Sequence, residues 1–490
     1  MPRFVARTAV PVSAAELFRW HERPGAFARL SPPWQDVSLE RFDGIRPGDR
    51  AVIRLGLGPL ALRWTAEHHG YTDACETGPD PCAFRDVQVS GPFKSWEHAH
   101  RMHPAGPDAS VLEDDVRYTL PLAPLSAPAR GLAGGQLRRM FGYRHRVTRE
   151  DLARHATWKG RPWTVAVTGA SGLLGSALCA FLGGGGHRLV RLVRSREALE
   201  RWDRGDLERA VYWNPARGEI DVDALAALRP DAVVHLAGEN ILGVWTEAKK
   251  RAIWESRTQG TLLLARTLAA LPHRPQAFVS ASASGYYGDT GDQPVTEESG
   301  TGEGFLAHVC RAWEDATGAA EAAGIRTVHA RIGIVLSPAG GALGPLGPLA
   351  QLGLAGWPGN GSAFWPWIAL DDVVYALHHL LKSDARGPVN LGAPTPAPSR
   401  RVVKALGRAL GRPAFLSAPA PLLRLAGEVA REIPLKSVRM VPARLKEQGF
   451  RWSYPTLDAA LGHPYGTAPE ALDAPLPTPE ARAVASGATP

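Results

Sequence analysis

Three glycines, Gly169, Gly172 and Gly175, directly follow the apolar β-branched run Val165–Val167 and open a helical stretch, Ser176 to Leu182. The G-x-x-G-x-x-G spacing is a variant of the dinucleotide fingerprint. Gly169 turns the chain, Gly172 lets backbone approach a pyrophosphate, and Gly175 lets helix pack on strand, with Ser171, Leu173 and Leu174 completing the cradle. The helix start offers free N–H groups and the positive end of a dipole to phosphate. A second strand, Leu189 to Val193, ends in Arg194-Ser195-Arg196, where a carboxylate for a ribose 2′-hydroxyl is usual in NAD sites. Guanidinium there suits a 2′-phosphate through paired charged hydrogen bonds, so NADP(H) is expected rather than NAD. Gly238 ends another apolar run, Asp231 to Gly238, where a cofactor passes; His235 within it reads as a core residue.

Other residues with chemical potential are less specific. His98 and His100 share one face of a strand and His103 lies close by, but no ligand at strong metal spacing joins them. They read as a solvent-facing or structural pair, and no metal site is expected. Asp114 and Asp115 read as strand-end charges.

The elements that position these residues follow from pattern. Ser13 to Glu16 forms a capping box ahead of a short helix. Arg50–Leu55, Ala61–Glu67, Phe84–Val89 and Lys94–His100 alternate as antiparallel strands with one wet face. Gln136–His155 reads as a helix interrupted around Tyr143. Beyond a linker at Trp158–Pro162, strands and helices alternate as a doubly wound parallel sheet requires, with a long helix from Trp245 to Leu271 and a strand from Gln276 to Ser282.

At 490 residues the chain exceeds one ordinary core, and 44% hydrophobic with 21% charged residues is a globular composition. The net charge of +8 comes from scattered arginines without interleaved aromatics, which argues against nucleic acid. Cys75, Cys82, Cys179 and Cys310 show no metal or disulfide spacing, so a reducing cytoplasm is the expected location. The uncharged stretch Ile332–Leu370 is broken by Pro338, Pro345, Pro348 and Pro358. It reads as a loop-rich pocket wall and not as a membrane span.

Two resemblances add to this. Gly91 to His100, Leu112 to Tyr118 and Arg139 to His145 resemble the helix-grip cyclase/dehydrase domains of the START superfamily. That resemblance implies a sheet gripping a long helix around an apolar ligand. Val167–Gly175, Leu236–Ile241, Ser282–Gly288, Trp313-Glu314, Arg331–Leu336 and Trp367–Asp372 resemble the extended short-chain dehydrogenase/reductases. More narrowly they are similar to an epimerase family of the NAD-dependent epimerase/dehydratase type with a small carboxy-terminal domain. This implies NADP(H) touched by the glycine turn, Arg194, Ser195, Leu236, Ala237, Arg257 and Val335. Ala369 stands where the family's W-I-H-I-D-D segment carries His. The expected organisation is an α+β helix-grip domain over 1–157, an α/β Rossmann-type domain over 163–400, the small domain over 401–465 and a disordered tail over 466–490.

Short-chain dehydrogenases pair a Ser with Tyr-x-x-x-Lys, so that an ammonium lowers the phenol pKa for proton exchange. Ser282 matches that Ser by the resemblance, but Phe305 and Val309 stand in place of Tyr and Lys. An acid or base must then come from Tyr286, Tyr287, Ser284 or His308. The expected function is an NADP-dependent oxidoreductase or epimerase acting on a small molecule, with an apolar ligand in the first domain. A catalytically silent NADPH-binding sensor or scaffold and a hydrophobic-ligand carrier are the alternatives.

Overall fold

The computed structural model describes all residues except 57–60, 77, 122–129, 204, 426, 479–480 and 482–490. It divides into two compact units: Met1–Arg161 with Gly183–Gly186 and Gly466–Pro490, and Pro162–Leu182 with His187–Tyr465.

The first unit is built on a seven-stranded antiparallel sheet of β1 (Arg3–Val10), β2 (Val37–Phe42), β3 (Arg50–Leu55), β4 (Leu62–Thr72), β5 (Cys82–Ser90), β6 (Ser95–Gly106) and β7 (Ala109–Thr119). Its order is β1-β7-β6-β5-β4-β3-β2. Helix α1 (Ala14–Glu22) starts where the capping box predicts, with Ser13 Oγ accepting the Glu16 N–H at 3.2 Å. It buries Leu17, Phe18 and Trp20 against Phe84, Met102 and Leu112. A short α2 (Ala26–Leu30) follows. The long helix α3 (Arg130–Ala156) runs without the interruption expected at Tyr143, because that ring is buried on it, edge-on to Trp34 at 5.3 Å. Leu137 and Phe141 of α3 pack with Ala6, Trp96 and Val116 of the sheet.

Further expectations fail in this unit. Cys75 and Cys82 form a disulfide, their Cα atoms 4.8 Å apart, because the turn between β4 and β5 folds back on itself. A disulfide is uncommon in a reducing compartment, so the cysteines do not point to one. The tail departs from disorder as far as it is described: Leu472 is buried, its carbonyl accepts the Arg7 N–H at 2.8 Å, and Glu470 pairs with Arg146 and Arg149 of α3. Alanine and proline dominate that segment, yet one leucine and one glutamate find partners that composition does not reveal. Residues 479–480 and 482–490 of the expected tail lie outside the described residues.

The second unit holds an eight-stranded sheet. It contains β8 (Thr164–Thr168), β9 (Arg188–Val193), β10 (Glu208–Asn214), β11 (Glu219–Ile220), β12 (Ala232–His235), β13 (Ala277–Ala283) and the strands Arg326–Ile332 and Gly387–Leu391. The spatial order is β11-β10-β9-β8-β12-β13, then those two strands, all parallel except β11. This is the Rossmann-type doubly wound arrangement. The order reverses between β8 and β12, so the crevice for a ligand opens at their carboxyl ends. Val165, Ala166, Val167, Val233 and Val234 are fully buried, as strands covered on both faces require.

Residues 401–465 do not form a separate core. Val402, Val403, Leu406, Tyr454 and Leu461 share one apolar cluster with Leu336, Trp365 and Trp367 of the uncharged stretch. That stretch contains the short strands Ile334–Ser337 and Trp367–Ala369, which pair in parallel, and a helix, Leu343–Gln351. No helix among the described residues is long and apolar enough to cross a membrane.

Candidate functional site

The glycine turn is held by local contacts no side chain could share. Gly169 has φ +65° and lies so close to the end of β12 that a Cβ would come within 2.8 Å of the Leu236 carbonyl carbon. A Cβ on Gly175, in helix α4 (Leu173–Gly184), would sit 2.1 Å from the Gly169 carbonyl oxygen. The Gly172 N–H closes the turn on the Gly169 carbonyl at 2.9 Å, and the Ser176 N–H reaches Gly172 at 2.9 Å. The N–H groups of Leu173, Leu174 and Gly175 thus precede the helix's own bonding, as an anion site requires.

A threonine–histidine chain ties the two strand ends at the crevice. Thr168 Oγ1 accepts the N–H groups of Leu236 (3.1 Å) and Ala237 (3.2 Å) and meets His235 Nδ1 at 2.7 Å. With its lone pairs so engaged, the hydroxyl donates to Nδ1. The ring proton therefore sits on Nε2, which donates to Thr261 Oγ1 at 2.9 Å. Burial lowers the His235 pKa to about 3, so the ring is neutral at ordinary pH.

This has a measurable consequence. His235, and His21 of the first unit, lowered by burial to about 4, bind a proton more readily unfolded, near 6.5, than folded. The contribution of these two histidines to stability is therefore full above pH 6.5 and falls as the pH drops toward 4, each giving a slope of about 1.4 kcal/mol per pH unit. Urea melts of His235→Gln are expected to show a shallower decline between pH 6.5 and 4; an unchanged slope counts against the assignment.

The remaining cofactor candidates gather around the crevice. Arg194 and Ser195 are exposed at the end of β9, and Ser195 Oγ caps the next helix by accepting the Ala198 N–H at 3.2 Å. Arg194 makes no hydrogen bond among the described residues. Arg257 donates to the Glu239 carbonyl at 3.0 Å, lies over the Trp313 ring at 4.9 Å, and comes within 3.2 Å of where a Gly238 Cβ would be. The turn after Val335 covers the glycine loop, with the Leu173 side chain 3.6 Å from a Cβ on Gly341. Arg191, which the sequence reading passes over, is buried on β9. Its guanidinium lies over the Trp202 ring at 4.0 Å and reaches Ala170 of the turn at 3.4 Å and Glu208 at 2.9 Å. An arginine inside the apolar run Leu189–Val193 was the available signal. Its Nε is buried without a hydrogen-bond partner, so positive charge and an unmet donor sit beside the cradle, and the residues present fit a dinucleotide phosphate.

The proton-transfer candidates meet in a buried network. Ser282 Oγ donates to Glu314 Oε1 at 2.6 Å. Arg331 grips Glu314 through two hydrogen bonds of 2.8 Å and donates to the Tyr287 hydroxyl at 3.0 Å. Tyr287 donates in turn to Asn390 Oδ1 at 2.6 Å, and Asn390 Nδ2 reaches the Val441 carbonyl at 3.0 Å. Burial pushes the Tyr287 phenol up to about 12, so it keeps its proton. The Tyr286 ring covers the Arg331 guanidinium at 3.5 Å. Its hydroxyl has no hydrogen-bond partner among the described residues. Val309 is buried on the helix Phe305–Asp315, and Phe305 is edge-on to Trp245 at 5.2 Å.

In the first unit, Asp114 and Asp115 are not strand-end charges. They lie in the middle of β7; Asp114 faces inward onto His98, His100 and His145, and Asp115 faces Arg3 at 2.8 Å. His98 is likewise 3% exposed and not solvent-facing. Burial opposes its charge, yet hydrogen bonds to Asp114 and Asp86 raise it to about 9.

Comparison with known proteins agrees with the second unit's geometry. A model described as the NAD dependent epimerase/dehydratase family matches residues 165–392, and one for a domain of unknown function matches 418–463. An epimerase family protein of Mycobacterium bovis is 40% identical over 302 residues, 61% of this chain and 96% of that protein. The human epimerase family protein SDR39U1 is 32% identical over 61% of this chain and 98% of its own. A crystal structure of SDR39U1 with NADPH has 30% identity and a TM-score of 0.54, covering 62% of this chain and 99% of that one. A Corynebacterium glutamicum structure described as a nucleoside-diphosphate sugar epimerase matches 99% of this chain and 96% of that one, at 30% identity and a TM-score of 0.74. With this identity across nearly the whole of its relatives, and the glycine cradle at the sheet's switch point, the chain belongs to the NAD-dependent epimerase/dehydratase family.

Proposed function

We propose that the second unit binds NADP(H) and works as an oxidoreductase or epimerase on a small molecule. The observation that carries the cofactor choice is the exposed Arg194 at the end of β9, beside Ser195 and Arg196, with no acidic side chain in that tripeptide. A bound nicotinamide supplies hydride transfer, and the chain supplies binding and orientation. The α4 N-terminus and the Gly169–Gly175 turn take the pyrophosphate, Arg194 takes the 2′-phosphate, and Leu236, Ala237, Gly238, Arg257 and Val335 line the passage toward the nicotinamide. Tyr286 is the candidate for proton exchange, since its hydroxyl is uncommitted. Ser282 and Tyr287 act as positioning residues through Glu314 and Arg331.

A second reading, an NADPH-binding sensor without turnover, is favoured by Phe305 and Val309 in place of Tyr and Lys and by the engagement of Ser282 and Tyr287. For the first unit, the long helix packed on an antiparallel sheet supports a helix-grip ligand-binding domain. The inward-facing Asp114 with His98 and His145 weakens the carrier reading, since charge lies where an apolar ligand would need none.

Calorimetry on the intact chain tests the cofactor. NADPH is expected to bind in preference to NADH, and Arg194→Ala to weaken NADPH by about 1.5–3 kcal/mol while leaving NADH unchanged. Equal loss for both nucleotides would refute the 2′-phosphate role. Net NADPH consumption with a panel of carbonyl substrates identifies an oxidoreductase, and cofactor-dependent inversion of a substrate stereocentre without net consumption identifies an epimerase, since that reaction returns its hydride; a sensor shows neither.

A further inference from the structure

The first unit carries a cluster that the nicotinamide chemistry leaves unused. Asp86 lies opposite His98 across β5 and β6, and Asp114 lies opposite His100 across β6 and β7. His98 and His100, two residues apart, share one face of β6, their ring centres 3.8 Å apart. One face of three adjacent strands thereby collects two carboxylates and two imidazoles.

The two carboxylates contact different nitrogens. Asp86 Oδ2 lies 3.2 Å from His98 Nδ1 and 3.8 Å from His100 Nε2, and the three residues offer one donor atom each within 4.8 Å of one another. Zinc bonds of about 2.0–2.1 Å at a tetrahedral angle place ligand atoms about 3.3 Å apart, so Asp86 and His98 already stand at ligand spacing and the His100 ring has to shift inward to complete the set. Asp114 Oδ1 instead meets the opposite ring nitrogens, His98 Nε2 at 3.0 Å and His100 Nδ1 at 2.6 Å. For His98 this is the position of a carboxylate that fixes the tautomer and orientation of a metal-bound histidine, whereas His100 Nδ1 lies against the same oxygen without hydrogen-bond alignment. Asp114 is itself held through Oδ2 by His145 Nε2 at 2.7 Å, and His145 Nδ1 meets Thr8 Oγ1 at 2.9 Å. Trp96 Nε1 donates to Asp86 Oδ1 at 3.2 Å, leaving Oδ2 to face the histidines. Phe84 stacks on the His100 ring at 4.2 Å and limits its rotation.

We propose that Asp86 Oδ2, His98 Nδ1 and His100 Nε2 form a binding site for one divalent transition-metal ion of the zinc class, with Asp114 as the positioning carboxylate for His98. Three protein ligands leave one tetrahedral position for water or an anionic ligand group. The side chains of Asp86 and His100 retain 15% and 12% exposure, against 3% for His98, so the accessible side of the site is at those two ligands. Sequence spacing hides this arrangement, because Asp86 joins the histidines only through cross-strand register. The rival is a closed network in which an imidazolium satisfies both carboxylates and no ion enters.

The test uses the intact, untagged chain after chelator treatment, titrated with Zn²⁺ and Co²⁺ and read by metal stoichiometry and by Co²⁺ visible absorption. One ion per chain is expected, with a tetrahedral Co²⁺ spectrum that Zn²⁺ displaces. Asp86→Asn and His100→Gln are expected to weaken binding at least about 100-fold, and Asp114→Asn about 10- to 100-fold with the Co²⁺ spectrum retained at higher metal. His69→Gln, an exposed histidine of the same unit, is expected to change nothing. Circular dichroism shows that each variant is folded, and Asp86→Asn, which keeps the side-chain shape, serves if His100→Gln does not fold. Absence of stoichiometric binding by the parent chain, or Asp86→Asn binding like the parent, would overturn the site in favour of the closed network.

Discussion

Replacing Arg331 by Met is expected to destabilise the second unit by about 3–5 kcal/mol, the cost of leaving one partner of a buried ion pair uncompensated. Glu314 is 9% exposed and Arg331 3%, and their two hydrogen bonds are both 2.8 Å. Once the guanidinium is gone, the carboxylate keeps Ser282 and a distant His329, Nδ1 at 3.8 Å, neither of which replaces a bidentate cation. Tyr287 loses a donor in the same step, and the Tyr286 ring loses the cation beneath it. The double variant Glu314→Leu/Arg331→Met should recover much of the loss, because removing both charges removes the desolvation cost as well. Urea unfolding of the two single variants and the double variant measures this as a thermodynamic cycle. A loss below about 1 kcal/mol for Arg331→Met, the range of an exposed pair, would mean that water reaches Glu314 and that the network is not sealed.

Substituting Gly175 by Ala should abolish detectable NADPH binding. In an ordinary helix the change favours folding by about 1 kcal/mol, since Ala has the better helix propensity. Here the new Cβ would lie 2.1 Å from the Gly169 carbonyl oxygen, a backbone atom that cannot swing aside as a side chain can. Relief requires α4 and the turn to separate, at a typical overpacking cost of about 1–3 kcal/mol, and this outweighs the propensity gain. It also moves the N–H groups of Leu173 and Leu174 away from the phosphate. Gly135→Ala on α3 is the matched control: nothing lies within 4 Å of its Cβ position, so the same substitution should stabilise by roughly 0.5–1 kcal/mol. Calorimetry with NADPH and thermal melts of both variants decide the matter, and retention of binding by Gly175→Ala would remove the glycine turn from the cofactor site.

The features legible from residue order are local in character. The strand, turn and helix around Gly169–Gly175 and the Ser13 cap of α1 depend on residues a few positions apart, and the structure places them as their spacing predicts. Patterns of period two marked β3 to β6 for the same reason. The family was legible too, because its motifs lie at strand ends, where few residue types satisfy the backbone. Tertiary structure alone decided what depends on pairing across distance. Ser282, Glu314 and Arg331 are separated by 32 and 17 positions and meet only because β13 and the strand Arg326–Ile332 are neighbours in register. Likewise Asp114 looks like a surface charge beside Asp115 until register puts it opposite His100, the Cys75–Cys82 bond needs a turn to fold back, and Leu472 finds a partner in Arg7 across most of the chain. A side chain's chemistry can be read one residue at a time, but whether water or another side chain answers it is set by which strands become neighbours.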